Sequence, residues 1–187
     1  MNTTLLWLDF EATGLDTSLD SPIEVGAILT TTDLRRISGF SSVIRPPDAA
    51  RERLMANAYV RDMHRANGLL DLIDDAPPLD YVEKELLAWI DLFCAQHPLI
   101  PGTNITLAGS GVAHFDLPLI KQQMPALAER LNYFVIDVGI IRRATEMWTG
   151  SIPSTVNELK THRAMDDIVC HLAEAHAFRD LWLQRAD

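Results

Sequence analysis

The stretch Leu6-Trp7-Leu8-Asp9-Phe10-Glu11-Ala12-Thr13-Gly14-Leu15 constrains this chain most. An apolar run ends in two carboxylates one residue apart, and a Thr-Gly turn follows. In a strand, side chains at i and i+2 leave on the same face. Asp9 and Glu11 are therefore expected side by side at the end of a buried strand. Two like charges that close are unfavourable unless a cation or a proton sits between them. The pattern asks for a sheet with this strand inside it and describes half of a divalent-metal site.

The rest of the chain supplies that sheet. Residues 4–9, 22–30 and 37–44 form three strand candidates, an antiparallel meander, with Gly14, Asp16 and Asp20-Ser21-Pro22 as loop punctuation between the first two. Pro46-Pro47 stops the third. A mixed helical region follows over 48–72. An amphipathic helix follows over 79–95, with Val82, Leu86, Ile90 and Phe93 at helical spacing. Short strands are expected at 105–109 and 134–137. Helices are expected over 117–131, with a break near Pro125, over 138–148, and over 164–184. Strands fed by helical crossovers make an α/β fold with a mixed sheet. No repeat or linker divides the chain, so residues 1–187 are expected to form a single domain.

Composition narrows the function. With 48% hydrophobic residues the chain suits an ordinary globular protein. No apolar run approaches the roughly 18 residues that span a membrane, and Met1-Asn2-Thr3-Thr4 lacks the basic start of a secretory signal. Cys94 and Cys170 fall in apolar helical patterns and are expected as reduced core residues of a cytoplasmic protein. The net charge of −10 and scattered arginines exclude the basic stripe that grips long nucleic acid. A short substrate held through a metal stays compatible.

Two further acids are placed like the first pair. Asp116, in Ala113-His114-Phe115-Asp116-Leu117, stands between a strand and an apolar helix. Asp166 and Asp167 open the last helix, five residues or fewer after His162. In isolation each acid also fits a helix start, where the macrodipole favours negative charge.

Jointly, these residues resemble the DEDDh family of 3′-to-5′ exonucleases. The opening motif is Asp9, Glu11, Thr13 and Gly14. The second is Phe115-Asp116. The third is His162 followed five residues later by Asp167, with Asp166 its solvated neighbour. Within that family the likeness is greatest to the oligoribonuclease branch, from residue 5 to about residue 182. It includes His64-Arg65-Ala66-Asn67-Gly68-Leu69, Met124-Pro125, Tyr133 to Val138 and His162 to Ile168.

The resemblance implies an RNase H-like mixed five-stranded sheet, an antiparallel meander then parallel strands, flanked by helices. It implies two Mg2+ or Mn2+ ions held by Asp9, Glu11, Asp116 and Asp167, with His162 as general base. Two such ions about 4 Å apart stabilise the attacking and leaving oxygens of a phosphodiester. Hard cations prefer carboxylate oxygen, which suits four acids and no cysteine. The implied substrate is short single-stranded RNA, released as 5′-mononucleotides. Ala12, Thr13, Gly14, Leu15, Tyr59, Phe115 and Tyr133 are the implied substrate contacts: Leu15 as a wedge, Tyr59 as a stacking ring, Tyr133 across a homodimer interface that includes the helix with Trp148. Two departures stand out. Asn132-Tyr133-Phe134 replaces the family's His-Tyr-Arg, and Gly109-Ser110-Gly111 replaces its Gly-Asn-Ser, one residue further from Asp116. A DNA exonuclease of proofreading type and a non-catalytic nucleic-acid-binding module are the alternatives.

Overall fold

The computed structural model describes residues 4–96, 105–152 and 161–184. Within them the chain runs β1 (Thr4–Ala12), β2 (Pro22–Thr31), β3 (Arg36–Val43), α1 (Asp48–Ala56), α2 (Ala58–Ala66), α3 (Leu79–Gln96), β4 (Thr106–Gly109), α4 (Asp116–Gln123), α5 (Pro125–Ala128), β5 (Ile136–Asp137), α6 (Val138–Thr149) and α7 (Ala164–Gln184). The strands form one sheet in the order β3-β2-β1-β4-β5. The first three pair antiparallel, while β4 joins β1 and β5 joins β4 in parallel. This is the mixed sheet that the strand and helix order predicts.

Alternation along β1 builds both layers. Leu6, Leu8 and Phe10 face one side, where Val82, Leu86 and Ile90 of α3 and Leu119 and Ile120 of α4 cover them. Leu5 and Trp7 face the other, against Val138 of α6 and Ile168 and Ala175 of α7. Trp7 is fully buried, and its indole N–H donates to Thr30 Oγ1 at 3.0 Å. The buried tip of a Trp normally finds such a partner. Asp9 and Glu11 continue the Leu5–Trp7 row, so the site begins where the α7 side of β1 changes from apolar to acidic.

Several bounds differ from the sequence expectation for local reasons. β1 continues to Ala12 because Phe10 and Glu11 still pair with Val25 and Glu24 before the register breaks. The helical region after β3 splits at Asn57, which is extended and accepts from the Val60 amide through its side chain. Pro125 has no N–H to extend α4 and instead opens α5. β5 shortens to two residues paired with Ala108 and Gly109. Cys170 is exposed, contrary to its expected place in the core. α7 meets the sheet through Ile168, His171, Ala175 and Phe178, and Cys170 lies off that stripe. The side chain of Cys94 lies outside the described residues. Among the described residues, no helix is long and apolar enough to cross a membrane.

Candidate active site

β1 and β4 run parallel, and the site forms at their C-terminal end. Glu11, His162 and Asp167 converge there, each offering a ligand atom within 4.8 Å of the others. Glu11 and Asp167 are buried, and His162 is half-buried. A cleft of about 450 Å³ opens over them, lined also by Asp9, Phe10, Ala12, Gly14, Leu15, Asn57, Tyr59, Val60, Met63 and Phe115. Three of the four expected acids and the histidine thus share one cleft.

Asp116 sits one layer back. It is 97% buried by its 3% exposure and lines no part of the described cleft. Its Oδ1 accepts from the Phe10 amide at 3.1 Å, across 106 residues, which ties the start of α4 to the acidic end of β1. Burial pushes its carboxyl up to about 7, and the charge of Asp137 adds to that. It is the first residue of α4, after an N-cap position held by Phe115 whose side chain makes no cap bond.

Two approaches bring α7 onto this strand end. Gly26 lies directly opposite Asp9 on β2. A Cβ there would stand 2.8 Å from the backbone of Ala164 and Met165 and 2.9 Å from Ile168 Cδ1. Only the missing side chain lets the first turn of α7, with Asp167, lie this close to the sheet. Beside it, Glu24 is buried opposite Glu11, a like-charge cross-strand pair that is unfavourable by itself. Arg163 answers it with bonds of 2.7 Å and 3.0 Å to Oε1, and the Ala164 amide donates to Oε2 at 2.9 Å. Glu24 holds the guanidinium charged, raising its pKa further.

Between these anchors His162 takes a left-handed backbone with φ 53°. A side chain other than glycine pays roughly 1–2 kcal/mol there, because Cβ crowds the next carbonyl. Asn67, just past α2, donates through its side-chain amide to the His162 carbonyl and, at 3.4 Å, to that of Thr161. Asp166 is exposed and accepts from Thr161 Oγ1 at 2.9 Å, in keeping with its expected solvated place.

The Thr-Gly turn is structural in its details. Thr13 is buried and donates to Asp20 Oδ1 at 3.0 Å, while its hydroxyl accepts from the Ser21 amide. Arg53 of α1 donates to the same carboxylate at 3.1 Å, and a Cβ on Gly14 would meet Asp20 Oδ2 at 2.4 Å. Burial raises the Asp20 carboxyl, but the Arg53 hydrogen bond and its other donors outweigh it and hold the group below the usual range. The side chain of Thr13, one of the expected substrate contacts, is turned into the protein. Its glycine neighbour lines the cleft, as do Ala12 and Phe115. Leu15 and Tyr59 stand at the rim, 86% and 77% exposed. Tyr133 is 99% exposed and lines no part of the cleft, so this chain alone does not bring it to the site.

Residues that the sequence offered only as part of the resemblance, with no role of their own, complete the frame. His64 of α2 is fully buried, and its Nε2–H is 3.2 Å from the Ala12 carbonyl. Burial lowers its pKa, so the neutral ring makes this bond, and the 3.9 Å approach to Glu11 Oε2 is a contact rather than an ion pair. Asp137 caps α6 through the Ile140 amide and also accepts from Gly111 and Ala113, fixing the loop that leads into Asp116. An Asp just before an apolar helix is an N-cap signal; its second duty is invisible in sequence.

Fold and site together define an α/β protein with a buried carboxylate–histidine centre suited to a hard divalent cation. The chain belongs to the exonuclease family, which it matches over residues 6–174. It is 34% identical over 182 residues to an oligoribonuclease of Streptomyces avermitilis, covering 96% of this chain and 87% of that one. It is 29% identical to a probable oligoribonuclease of Schizosaccharomyces pombe, covering 96% and 68%. The zinc-bound form of Escherichia coli ExoI in complex with ssDNA shares the fold, with a TM-score of 0.63 at 15% identity, over 96% of this chain and 41% of that one.

Proposed function

We propose that this protein is a divalent-metal-dependent 3′-to-5′ exonuclease that releases 5′-mononucleotides from short RNA. The observation that carries the reading is the convergence of Glu11, His162 and Asp167 within 4.8 Å under a cleft with two exposed apolar side chains at its rim. The likeness to oligoribonucleases supports RNA over DNA.

The donor set fits a metal. Glu11, Asp167 and His162 each offer a ligand atom within 4.8 Å of the others, and a hard divalent cation prefers carboxylate oxygen. Asp9, Glu11, Asp116 and Asp167 would hold two Mg2+ or Mn2+ ions. Such ions supply Lewis acidity and an acidified water when bound. The rest falls to the chain itself. Leu15 and Tyr59 meet the bases at the rim, and a stacked base is worth about 1–3 kcal/mol. Phe115 and the Ala12–Gly14 backbone wall the cleft. His162 takes a proton at its ring nitrogen, the general-base role most often filled by an imidazole.

The same 4.8 Å spacing also favours a second reading, in which His162 is a metal ligand. His162→Ala separates the two. As a base, its loss lowers turnover by about two to four orders of magnitude and leaves calorimetric metal affinity unchanged. Loss of metal affinity in step with activity favours the ligand. Near-native turnover removes His162 from either role.

Parallel digestion of a labelled pentaribonucleotide and its deoxy twin tests the substrate. Faster loss of the ribose form is expected, and faster loss of the deoxy form contradicts the RNA reading. The site is proposed to work within a homodimer. Tyr133 and Phe134 before α6 and Met147 and Trp148 near its end are each exposed, which supports that assembly. A light-scattering mass of one chain in a fully active sample would refute it.

A further inference from the structure

We infer that Asn67 is a positioning residue for His162, and that α2 thereby links the substrate cleft to the base. The inference rests on the general-base reading above. Three observations meet at this point. His162 is held at φ 53°, a backbone state that a residue with a Cβ leaves when nothing holds it. The Asn67 amide donates to the carbonyl of that same residue and to the one before it. Asn67 is also the C-cap of α2, whose Tyr59, Val60 and Met63 line the cleft and whose His64 grips the Ala12 carbonyl.

α2 therefore touches both halves of the centre. At His64 it fixes the strand end that carries Glu11. At Asn67 it fixes the peptide that aims the imidazole. The two side-chain roles of Asn67 differ in kind. Its Oδ1 accepts from the Leu69 amide at 3.0 Å and shapes the turn after α2, while its N–H2 reaches across 95 residues to His162. With this long-range donor gone, the His162 peptide is released toward ordinary negative φ and the ring swings from its place. The Glu24 clamp acts one and two residues later, on Arg163 and Ala164, and does not hold the His162 carbonyl.

A double-mutant cycle tests this. Asn67→Asp keeps the oxygen that shapes the turn and removes the donor; Asn67→Ala removes both and is the second variant if the first fails to fold. Each is placed in the native chain and in His162→Ala. Single-turnover cleavage of a pentaribonucleotide in magnesium is then measured, with the melting temperature alongside. In the native background the rate is expected to fall roughly ten- to a hundredfold, the scale of a group displaced by about 1 Å. The RNA concentration at half-saturation is expected to stay the same. In His162→Ala the Asn67 substitution is expected to change the rate by less than about twofold, because residues acting through one group are non-additive. Equal losses in both backgrounds, or a native rate in both Asn67 variants, overturn the proposal. Failure of the base reading shows separately, as native cleavage by His162→Ala with Asn67 intact, and the proposal falls with it.

Discussion

Gly26→Ala is a sharp test of how the fold makes the site, because it touches no candidate catalytic group. The added methyl would stand 2.8 Å from backbone atoms of Ala164 and Met165 and 2.9 Å from Ile168 Cδ1. Ordinary carbon contacts lie at about 3.5–4.0 Å, so the first turn of α7 must retreat by roughly 0.7 Å or more. Two of the three nearest atoms are backbone, so no rotamer change relieves them. Overpacking of this kind costs about 1–3 kcal/mol, or about 2–12 °C in melting temperature for a chain of this size. The retreat carries Asp167 and His162 away from Glu11. A displacement near 1 Å is worth on the order of a hundredfold in rate, so turnover should fall about ten- to a hundredfold. Differential scanning fluorimetry and initial rates on a pentaribonucleotide, at saturating magnesium and at 15 °C where the variant is folded, read both numbers. A variant with native melting temperature and native turnover would refute the claim that the close approach at Gly26 sets the site.

Other expectations follow from the same contacts. Asp137→Ala removes three acceptor contacts, to Gly111, Ala113 and Ile140. At about 1 kcal/mol each it should cost roughly 2–4 kcal/mol in urea unfolding, and a loss under about 0.5 kcal/mol would deny the loop its anchor. Burial raises the Asp116 carboxyl to about 7. The metal-free folded protein therefore holds a proton there that the unfolded chain has lost, and this group's contribution to stability falls as pH rises from about 4 to 7. Metal binding needs the carboxylate, so affinity should rise with pH up to about 7 and then level. Titration calorimetry in buffers of different ionisation enthalpy should show close to one proton released at pH 6; flat affinity from pH 6 to 8 would contradict the role of Asp116 as a ligand.

Much of this was legible in the sequence because local pattern carried it. The alternation of β1 placed Asp9 and Glu11 on one face, and the spacing of Ile168, Leu172, Ala175 and Phe178 marked α7, whose observed span is Ala164–Gln184. The helix periodicity of 79–95 marked α3. What failed to show is what has no period. Glu24 and Arg163 are 139 positions apart, and Asn67 and His162 are 95 apart. The bond from Thr13 to Asp20, seven residues on, is equally invisible in the motif. Cys170 looked buried because α7 is apolar on several sides, and only packing reveals which side meets the sheet.

The central claim is that the Glu11–His162–Asp167 cluster is a metal-dependent hydrolytic centre working from the 3′ end. The most direct measurement follows a 5′-labelled pentaribonucleotide with magnesium, with EDTA, and with Asp167→Asn. The account predicts a ladder that shortens one nucleotide at a time from the 3′ end, stops in EDTA, resumes on magnesium addition and is absent in the variant. A stable complex with no product over hours, or a ladder that persists in EDTA or in Asp167→Asn, would contradict it.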